Sequence, residues 1–182
     1  KGEWALVLAG QGVGKTSVLT LIANNAYLKG QNVCHIILEG KKNDIRRRHY
    51  AKLFNIRTKD LSKRKDYVHK CVEKLKNSKT VGNLIIEKLT NMTPSKLRKW
   101  VLKTEEKLGY KFDVIVLDYL DCLKSDEKVQ DRFYAQELIA QDMERIVDEE
   151  QWRLYAGIQA KKEANTKKIL SIDDIYGSAE RG

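Results

Sequence analysis

Residues 9–16 read Ala9-Gly10-Gln11-Gly12-Val13-Gly14-Lys15-Thr16, and Ser17 follows directly. This is a P-loop sequence with Ala in place of the usual first Gly. Its glycines let backbone N–H groups turn toward phosphate oxygens, Lys15 can reach the β- and γ-phosphates, and the Thr16 hydroxyl can hold Mg²⁺. The motif therefore predicts a nucleotide-binding site formed by residues 9–17.

The residues on either side of this loop have the periodicity that the motif requires. The apolar run from Trp4 to Leu8 reads as a buried strand, and the segment from Ser17 to Leu28 reads as a helix that ends at Gly30. Strand, glycine loop and helix is the setting in which a P-loop binds phosphate. The flanks thus support the nucleotide site.

Strands and helices alternate along the rest of the chain. Further strands are predicted at 33–38, 84–89, 112–117 and 153–158, with helices at 43–54, 58–76, 94–108 and 131–150. Asn43 or Asp44 is predicted to cap the first of these helices, Thr58 or Ser62 to open the second, and Thr93 to cap the third. The alternation predicts an α/β fold of three layers, α/β/α, with a mainly parallel sheet.

Length and composition limit the classes of protein. With 182 residues and 42% apolar content, the chain can bury one α/β core. It has no apolar run of membrane-spanning length and no signal-peptide pattern, so we expect a cytoplasmic protein with no membrane partner. The three widely spaced cysteines, Cys34, Cys71 and Cys122, suit reduced thiols.

The net charge of +10 is concentrated in one segment. Residues 41–76 contain fourteen Lys and Arg against four acidic residues, so the remainder of the chain is formally neutral. A basic face of this kind attracts polyanions such as nucleic acid. The alternative is a solvated helical surface, and the sequence leaves both interpretations open.

Polar residues at three strand ends complete a nucleotide site. Asp118 closes an apolar run, so it is predicted to lie at the end of a buried strand. At that place its carboxylate could hold Mg²⁺ opposite Thr16. The alternative is an ordinary turn residue. Many nucleic-acid motors have their catalytic Glu directly after this Asp, but here the next residue is Tyr119. The catalytic base for hydrolysis must then come from another strand, and Glu39 is the candidate to activate water. Gln159 ends the fifth strand, where an amide can contact the γ-phosphate.

These segments resemble the RecA-type motor domain of hexameric replicative helicases, the DnaB family, and especially phage-encoded members. Besides the Ala-headed P-loop, Ile36–Glu39 resembles the strand that ends in the family's catalytic Glu, and Ala156–Gln159 is similar to the strand with its sensor Gln. Val116–Asp121 resembles the family's apolar-Asp-Tyr-Leu-Gln segment, with Asp121 in place of the Gln. Asp174–Glu180 resembles a turn near the end of the core.

The resemblance implies a RecA-like P-loop ATPase core that uses ATP and Mg²⁺, in a homo-hexameric ring with single-stranded DNA in its channel and with primase and a helicase loader as possible partners. It also implies a basic pair that reaches the γ-phosphate of the neighbouring subunit. Lys167 and Lys168 lie at the position in the sequence that corresponds to this pair. The family pair typically contains Arg, and a Lys ammonium cannot make the bidentate contact of a guanidinium. Arg181 is a second candidate.

By the same resemblance, two loops would face the channel. In that arrangement, basic side chains of the two loops would contact DNA phosphates without reading the base sequence. The alternative is that they are solvated loop charges with no role in DNA binding. The residues are Lys124, Lys128, Arg132, Lys161 and Lys162. We expect residues 1–182 to form one ATPase domain, incomplete at the C-terminal end and without the N-terminal domain of the family.

Three functions remain open at this stage. The first is an ATP-dependent DNA helicase motor, which translocates on single-stranded DNA and unwinds duplex. The second is a RecA- or KaiC-like ATPase whose assembly on DNA or protein is switched by ATP. The third is a small P-loop kinase, which a Glu placed to activate water disfavours.

Overall fold

The computed structural model describes residues 2–10 and 12–160, which form a parallel sheet with helices on both faces. The strands are β1 (Glu3–Ala9), β2 (Val33–Ile37), β3 (Leu84–Lys88), β4 (Val114–Asp118) and β5 (Arg153–Gln159). The α-helices are α1 (Lys15–Leu28), α2 (Lys42–Leu53), α3 (Lys65–Lys76), α4 (Pro94–Leu108) and α5 (Arg132–Glu149). Short 3-10 helices cover Thr58–Arg64 and Leu120–Cys122.

The order of the strands brings the predicted site residues to one edge of the sheet. Within the described residues the order is β1-β5-β4-β2-β3, and every pair is parallel. β5 therefore lies between the P-loop strand β1 and β4, the strand that ends at Asp118. The carboxyl ends of parallel strands share an edge, which is where α/β sheets bind their ligands.

Strand β4 shows why three layers form. Val114 and Val116 pack with Leu19 and Ala23 of α1, whereas its alternate residues pack on the opposite face with α4 and α5. All five residues of β4 are buried, as a central strand covered on both faces requires. The predicted α/β/α architecture is confirmed, and the sheet is wholly parallel across the described residues.

The helix boundaries differ from the expectation in the basic segment. Helix α2 begins at Lys42 without a side-chain cap, because Lys41 occupies the cap position and Asn43 and Asp44 lie inside the first turn. The predicted single helix over 58–76 is wrong in its first half, which is a 3-10 helix that buries Leu61 before α3 begins. Leu38, Leu89 and residues 112–113 lie just outside their strands.

Two predicted helix starts are confirmed by their hydrogen bonds. The Thr93 side chain accepts a hydrogen bond from the backbone N–H of Lys96, with Pro94 in the first turn of α4. Asp131 accepts from the backbone N–H groups of Phe133 and Tyr134 at the start of α5. Among the described residues, no helix is long and apolar enough to cross a membrane.

Candidate nucleotide-binding site

The P-loop turns sharply between β1 and α1 and opens a cleft at the edge of the sheet. Gly12 and Gly14 have φ of 78° and 108°, which is the left-handed region that side chains disfavour, and Gly14 is the residue before the first turn of α1. The cleft has a volume of about 230 Å³ and is lined by Gly10, Gly12, Gly14, Lys15, Thr16, Glu39, Arg48, Tyr119 and Gln159. The cleft therefore combines the P-loop with residues from the segment 39–48, from the end of β4 and from the end of β5.

Thr16 and Asp118 lie in contact at the place predicted for Mg²⁺. The Thr16 side chain lies beside the Asp118 carboxylate, and Asp118 is 3% exposed. Burial raises the pKa of Asp118, and its Oδ1 has no hydrogen-bond partner among the described residues. A buried carboxylate oxygen without a partner, beside a hydroxyl, fits a hard cation that prefers oxygen ligands.

Glu39 reaches the cleft from the segment that follows β2. Ile37 pairs with Asp118 in the register of β2 and β4, and the Leu38 N–H donates to the Asp118 carbonyl at 2.8 Å. Glu39 is exposed and lies close enough to Tyr119 to help raise the pKa of the Tyr119 hydroxyl, after the larger effect of burial. The backbone pairing of β2 and β4 therefore brings Glu39 and Asp118 to the same edge of the sheet, and Tyr119 lies beside Glu39.

Lys15 extends across the floor of the cleft. Its Nζ lies 4.0 Å from the centroid of the Tyr119 ring, and burial lowers its pKa against the opposing effect of Asp121 and Asp118. A Cβ at Gly157 of β5 would lie 2.9 Å from the Lys15 Cδ, so glycine at this position leaves room for the lysine stem. The Tyr119 ring and Gly157 together define the path of the lysine.

Gln159 and Asp121 link the last strand to the segment after β4. In the register of β1 and β5, Gln159 pairs with Ala9 at the start of the P-loop. The Gln159 backbone N–H donates to Asp121 Oδ2 at 2.7 Å, and burial raises the pKa of Asp121. Asp121, the departure from the family's Gln, therefore accepts a hydrogen bond from the backbone of the predicted sensor.

Arg48 of α2 is a site residue that sequence reasoning missed. Its guanidinium lines the cleft, and Nη1 donates to the Ser17 hydroxyl at 3.5 Å. Arg48 also lowers the pKa of Asp118, in opposition to the larger effect of burial. No sequence signal distinguished it from Arg46 and Arg47, because only the packing of α2 determines which of the three faces the P-loop.

A buried chain of polar side chains holds α2 beside the P-loop helix. His49 of α2 donates from Nδ1 to Asn24 Oδ1 of α1 at 2.6 Å, and Asn24 Nδ2 donates to the His49 carbonyl at 3.3 Å. The remaining His49 nitrogen, Nε2, then accepts from Nδ1 of His35 on β2 at 2.9 Å. This chain joins β2, α2 and α1 next to Arg48.

The residues proposed to contact DNA are only partly described. Lys124, Lys128 and Arg132 line a separate cleft of about 590 Å³ after β4, which Asp121 also borders. The Lys124 ammonium donates to Asn91 Oδ1 at 3.0 Å, so it is fixed against the loop after β3. The other predicted residues lie outside the described residues: Gln11, Lys161, Lys162, Lys167, Lys168 and Arg181.

Two solved structures are similar in fold to this chain. A structure described as that of a DnaB-like replicative helicase and its interactions with primase matches with a TM-score of 0.84 and 19% identity, over 98% of this chain and 44% of the other. The ATPase domain of G40P matches with a TM-score of 0.82 and 18% identity, over 96% of this chain and 64% of the other. The chain thus spans less than two thirds of either relative.

The sequence also matches a family profile over nearly its whole length. Residues 1–175 match the DnaB-like helicase C-terminal domain. No curated protein sequence matches the chain at a significant level. A RecA-like parallel sheet and the profile match agree, and the chain belongs to the DnaB-like helicase C-terminal domain family.

Proposed function

We propose that this chain is the motor domain of a replicative DNA helicase, which hydrolyses ATP to translocate on single-stranded DNA and unwind duplex. The observation that carries the proposal is the cleft in which the P-loop faces Glu39, Arg48 and Gln159, with the Thr16–Asp118 pair at its base. Family membership supports a helicase, and the cleft supports hydrolysis as its source of energy.

The residues of the cleft have separate tasks. Backbone N–H groups of the glycine turn and the Lys15 ammonium bind the phosphates. Thr16 and Asp118 would hold Mg²⁺, which neutralises charge that develops on the phosphates. Glu39 orients a water and accepts its proton, with Tyr119 beside its carboxylate.

Gln159 connects hydrolysis to movement of the chain beyond the sheet. Its side chain lines the cleft, while its backbone N–H is bonded to Asp121 in the segment that leads to Lys124 and Lys128. Loss of the γ-phosphate contact at Gln159 would then shift both segments that follow the strand ends. We propose that these segments grip the DNA backbone and that Lys161 and Lys162 contribute to the same grip.

Family membership also supports a proposal for assembly and partners. We propose a homo-hexameric ring with ATP between subunits, in which Lys167 and Lys168 of one subunit act on the nucleotide of the next. Primase is a candidate partner here, because the DnaB-like replicative helicase of similar fold interacts with primase. A helicase loader is a second candidate.

The test is phosphate release from ATP and Mg²⁺ with and without single-stranded DNA, measured on the full chain. Lys15→Ala should abolish release, whereas Glu39→Gln should bind ATP and fail to hydrolyse it. Strong stimulation by DNA is expected for a motor. Hydrolysis that depends on Lys15 and ignores DNA would overturn the motor proposal in favour of an ATP-switched assembly ATPase, and phosphorylation of a small molecule would favour a kinase.

A further inference from the structure

The basic segment 41–76 forms an exposed surface that the nucleotide site does not use, apart from Arg48. Of its fourteen Lys and Arg residues, thirteen are exposed and Lys42 is partly buried. Within the described residues, the ion pairs of this segment are Lys42–Glu87, Arg57–Asp60 and Lys76–Glu73. Most of the positive charge therefore faces solvent without an acidic partner.

Helix α3 divides this surface into an apolar and a basic face. Val72 and Leu75 face inward, where they line a cleft with Phe54 of α2 and Leu84 of β3. Tyr67 lies on a different face of the helix and is 53% exposed. An aromatic ring left in solvent on an amphipathic helix is not required by the packing of α3 against the sheet.

Cations flank Tyr67 on α3 and at the end of the 3-10 helix that precedes it. Lys70 follows Tyr67 by one turn and Lys74 by two, so all three lie on one side of α3. Lys63 and Arg64 precede it by four and three residues at the end of the 3-10 helix, and Arg64 is close enough to lower the pKa of Tyr67, against the larger raising effect of Cys71. We call these five residues the Tyr67 surface.

The acidic residues of α3 lie on one flank of the helix, and Asp60 of the 3-10 helix is paired with Arg57. Asp66 and Glu73 are seven residues apart, which places them on one flank of α3, and Glu73 is paired with Lys76. On α3 the surface from Tyr67 to Lys74 is about 10 Å long at the helical rise, enough for a short stretch of a strand. Phosphates bind lysine and arginine without regard to sequence, and exposed bases stack on aromatic rings.

We propose that the Tyr67 surface binds single-stranded nucleic acid, with phosphates on Lys63, Arg64, Lys70 and Lys74 and a base stacked on Tyr67. This site is separate from the segment after β4, because α3 packs beside β3 at one end of the sheet, whereas β4 lies two strands away. Binding at the Tyr67 surface needs no nucleotide, so it stands independently of the proposed motor.

The first test measures binding of a labelled single-stranded oligonucleotide by fluorescence anisotropy, without ATP, over a series of salt concentrations. The double variant Lys70→Ala, Lys74→Ala should weaken binding and reduce the slope of log K against log salt by about 1.4, because each contact to a single strand contributes about 0.7. The matched control is Lys99→Ala, Lys103→Ala, an exposed pair with the same spacing on α4, which should leave both quantities unchanged. Equal losses in the two double variants would overturn the proposal.

The second test isolates stacking. Tyr67→Ala should weaken binding about 5- to 150-fold with little change in the salt slope, and Tyr67→Phe should bind nearly as the unsubstituted chain does. Unchanged binding by Tyr67→Ala would overturn the stacking contact. Duplex of the same length should be insensitive to Tyr67→Ala, since its bases are already stacked, and an equal loss on duplex would also contradict the proposal.

A third measurement locates the strand. Photocrosslinking with a 5-iodouracil oligonucleotide, followed by peptide mapping, should label residues 63–76 in the absence of ATP. Labelling confined to residues 122–132 would overturn the second site while leaving the proposed motor intact. Basal phosphate release should be the same in all of these variants, because none of the substituted residues lines the nucleotide cleft.

Discussion

The His35 Nδ1 lies 2.9 Å from the His49 Nε2, and both imidazoles are fully buried. Burial lowers the pKa of His35 to about 3, with a further contribution from His49, and burial lowers the pKa of His49 to about 4. Both rings are therefore neutral in the folded protein at pH 7. Their arrangement depends on this neutrality, because His49 must accept at one nitrogen and donate to Asn24 at the other.

We predict that the protein loses stability as the pH falls below about 6.5. The unfolded chain binds protons on both histidines with pKa values near 6.5, whereas the folded chain binds them only near the lowered values. The unfolded state thus binds more protons in this window, and each histidine contributes a slope of up to about 1.4 kcal/mol per pH unit. Urea denaturation at pH 7.5, 6.5 and 5.5 measures the free energy of unfolding at each pH and so tests this dependence.

Variants identify which histidines are responsible. His49→Gln should lower the free energy of unfolding at pH 7.5 and flatten its dependence on pH. His69→Gln is the control, since His69 is exposed on α3, and it should leave the pH dependence as it is. A pH dependence that survives in His49→Gln and disappears in His69→Gln would contradict the prediction.

Arg48→Ala should reduce kcat/KM for ATP by about 10- to 150-fold, the range expected for losing a hydrogen bond to a charged group. The reason is its position in the cleft beside Ser17 and near Asp118. Steady-state phosphate release is the measurement, with Arg46→Ala as the control, because Arg46 borders the cleft between α2 and α3 instead. Equal losses in both variants would show that general charge, rather than the Arg48 position, is responsible.

Tyr119→Phe should lower kcat by about tenfold with little change in KM. The substitution removes the hydroxyl that lies beside Glu39 and retains the ring under Lys15. Tyr119→Ala removes both contacts and should also weaken ATP binding. If Tyr119→Phe changes KM alone, the hydroxyl does not act through Glu39.

Gly157→Ala should displace Lys15 and lower the affinity for ATP. The added Cβ would lie 2.9 Å from the Lys15 Cδ and 3.2 Å from a Leu19 methyl, so the lysine stem must move. Overpacking of this kind costs about 1–3 kcal/mol of folding free energy. Titration with a fluorescent ATP analogue checks the affinity and thermal unfolding checks the fold, and an unchanged affinity would refute the proposed path of Lys15.

Local patterns in the sequence were sufficient to predict the fold class, because apolar periodicity and cap residues act over a few positions. The run around Val114–Asp118 indicated a buried strand, and Thr93-Pro94 marked a helix start at the residue where it occurs. The helix boundaries of the basic segment 41–76 were harder to predict, since its helices have few buried residues and their ends depend on packing. Nothing local indicated that residues 58–64 form a 3-10 helix rather than the start of α3.

The sequence by itself determined the P-loop, the carboxylate Asp118 and the polar ends of two more strands, because these signals depend on residue type and on neighbours along the chain. Only the tertiary structure decided which long side chains meet there. Arg48, Tyr119 and Asp121 join the site, and His35 meets His49, through the strand order and the angle at which α2 packs on α1. Contacts between residues far apart in sequence depend on that packing, which a linear pattern does not encode.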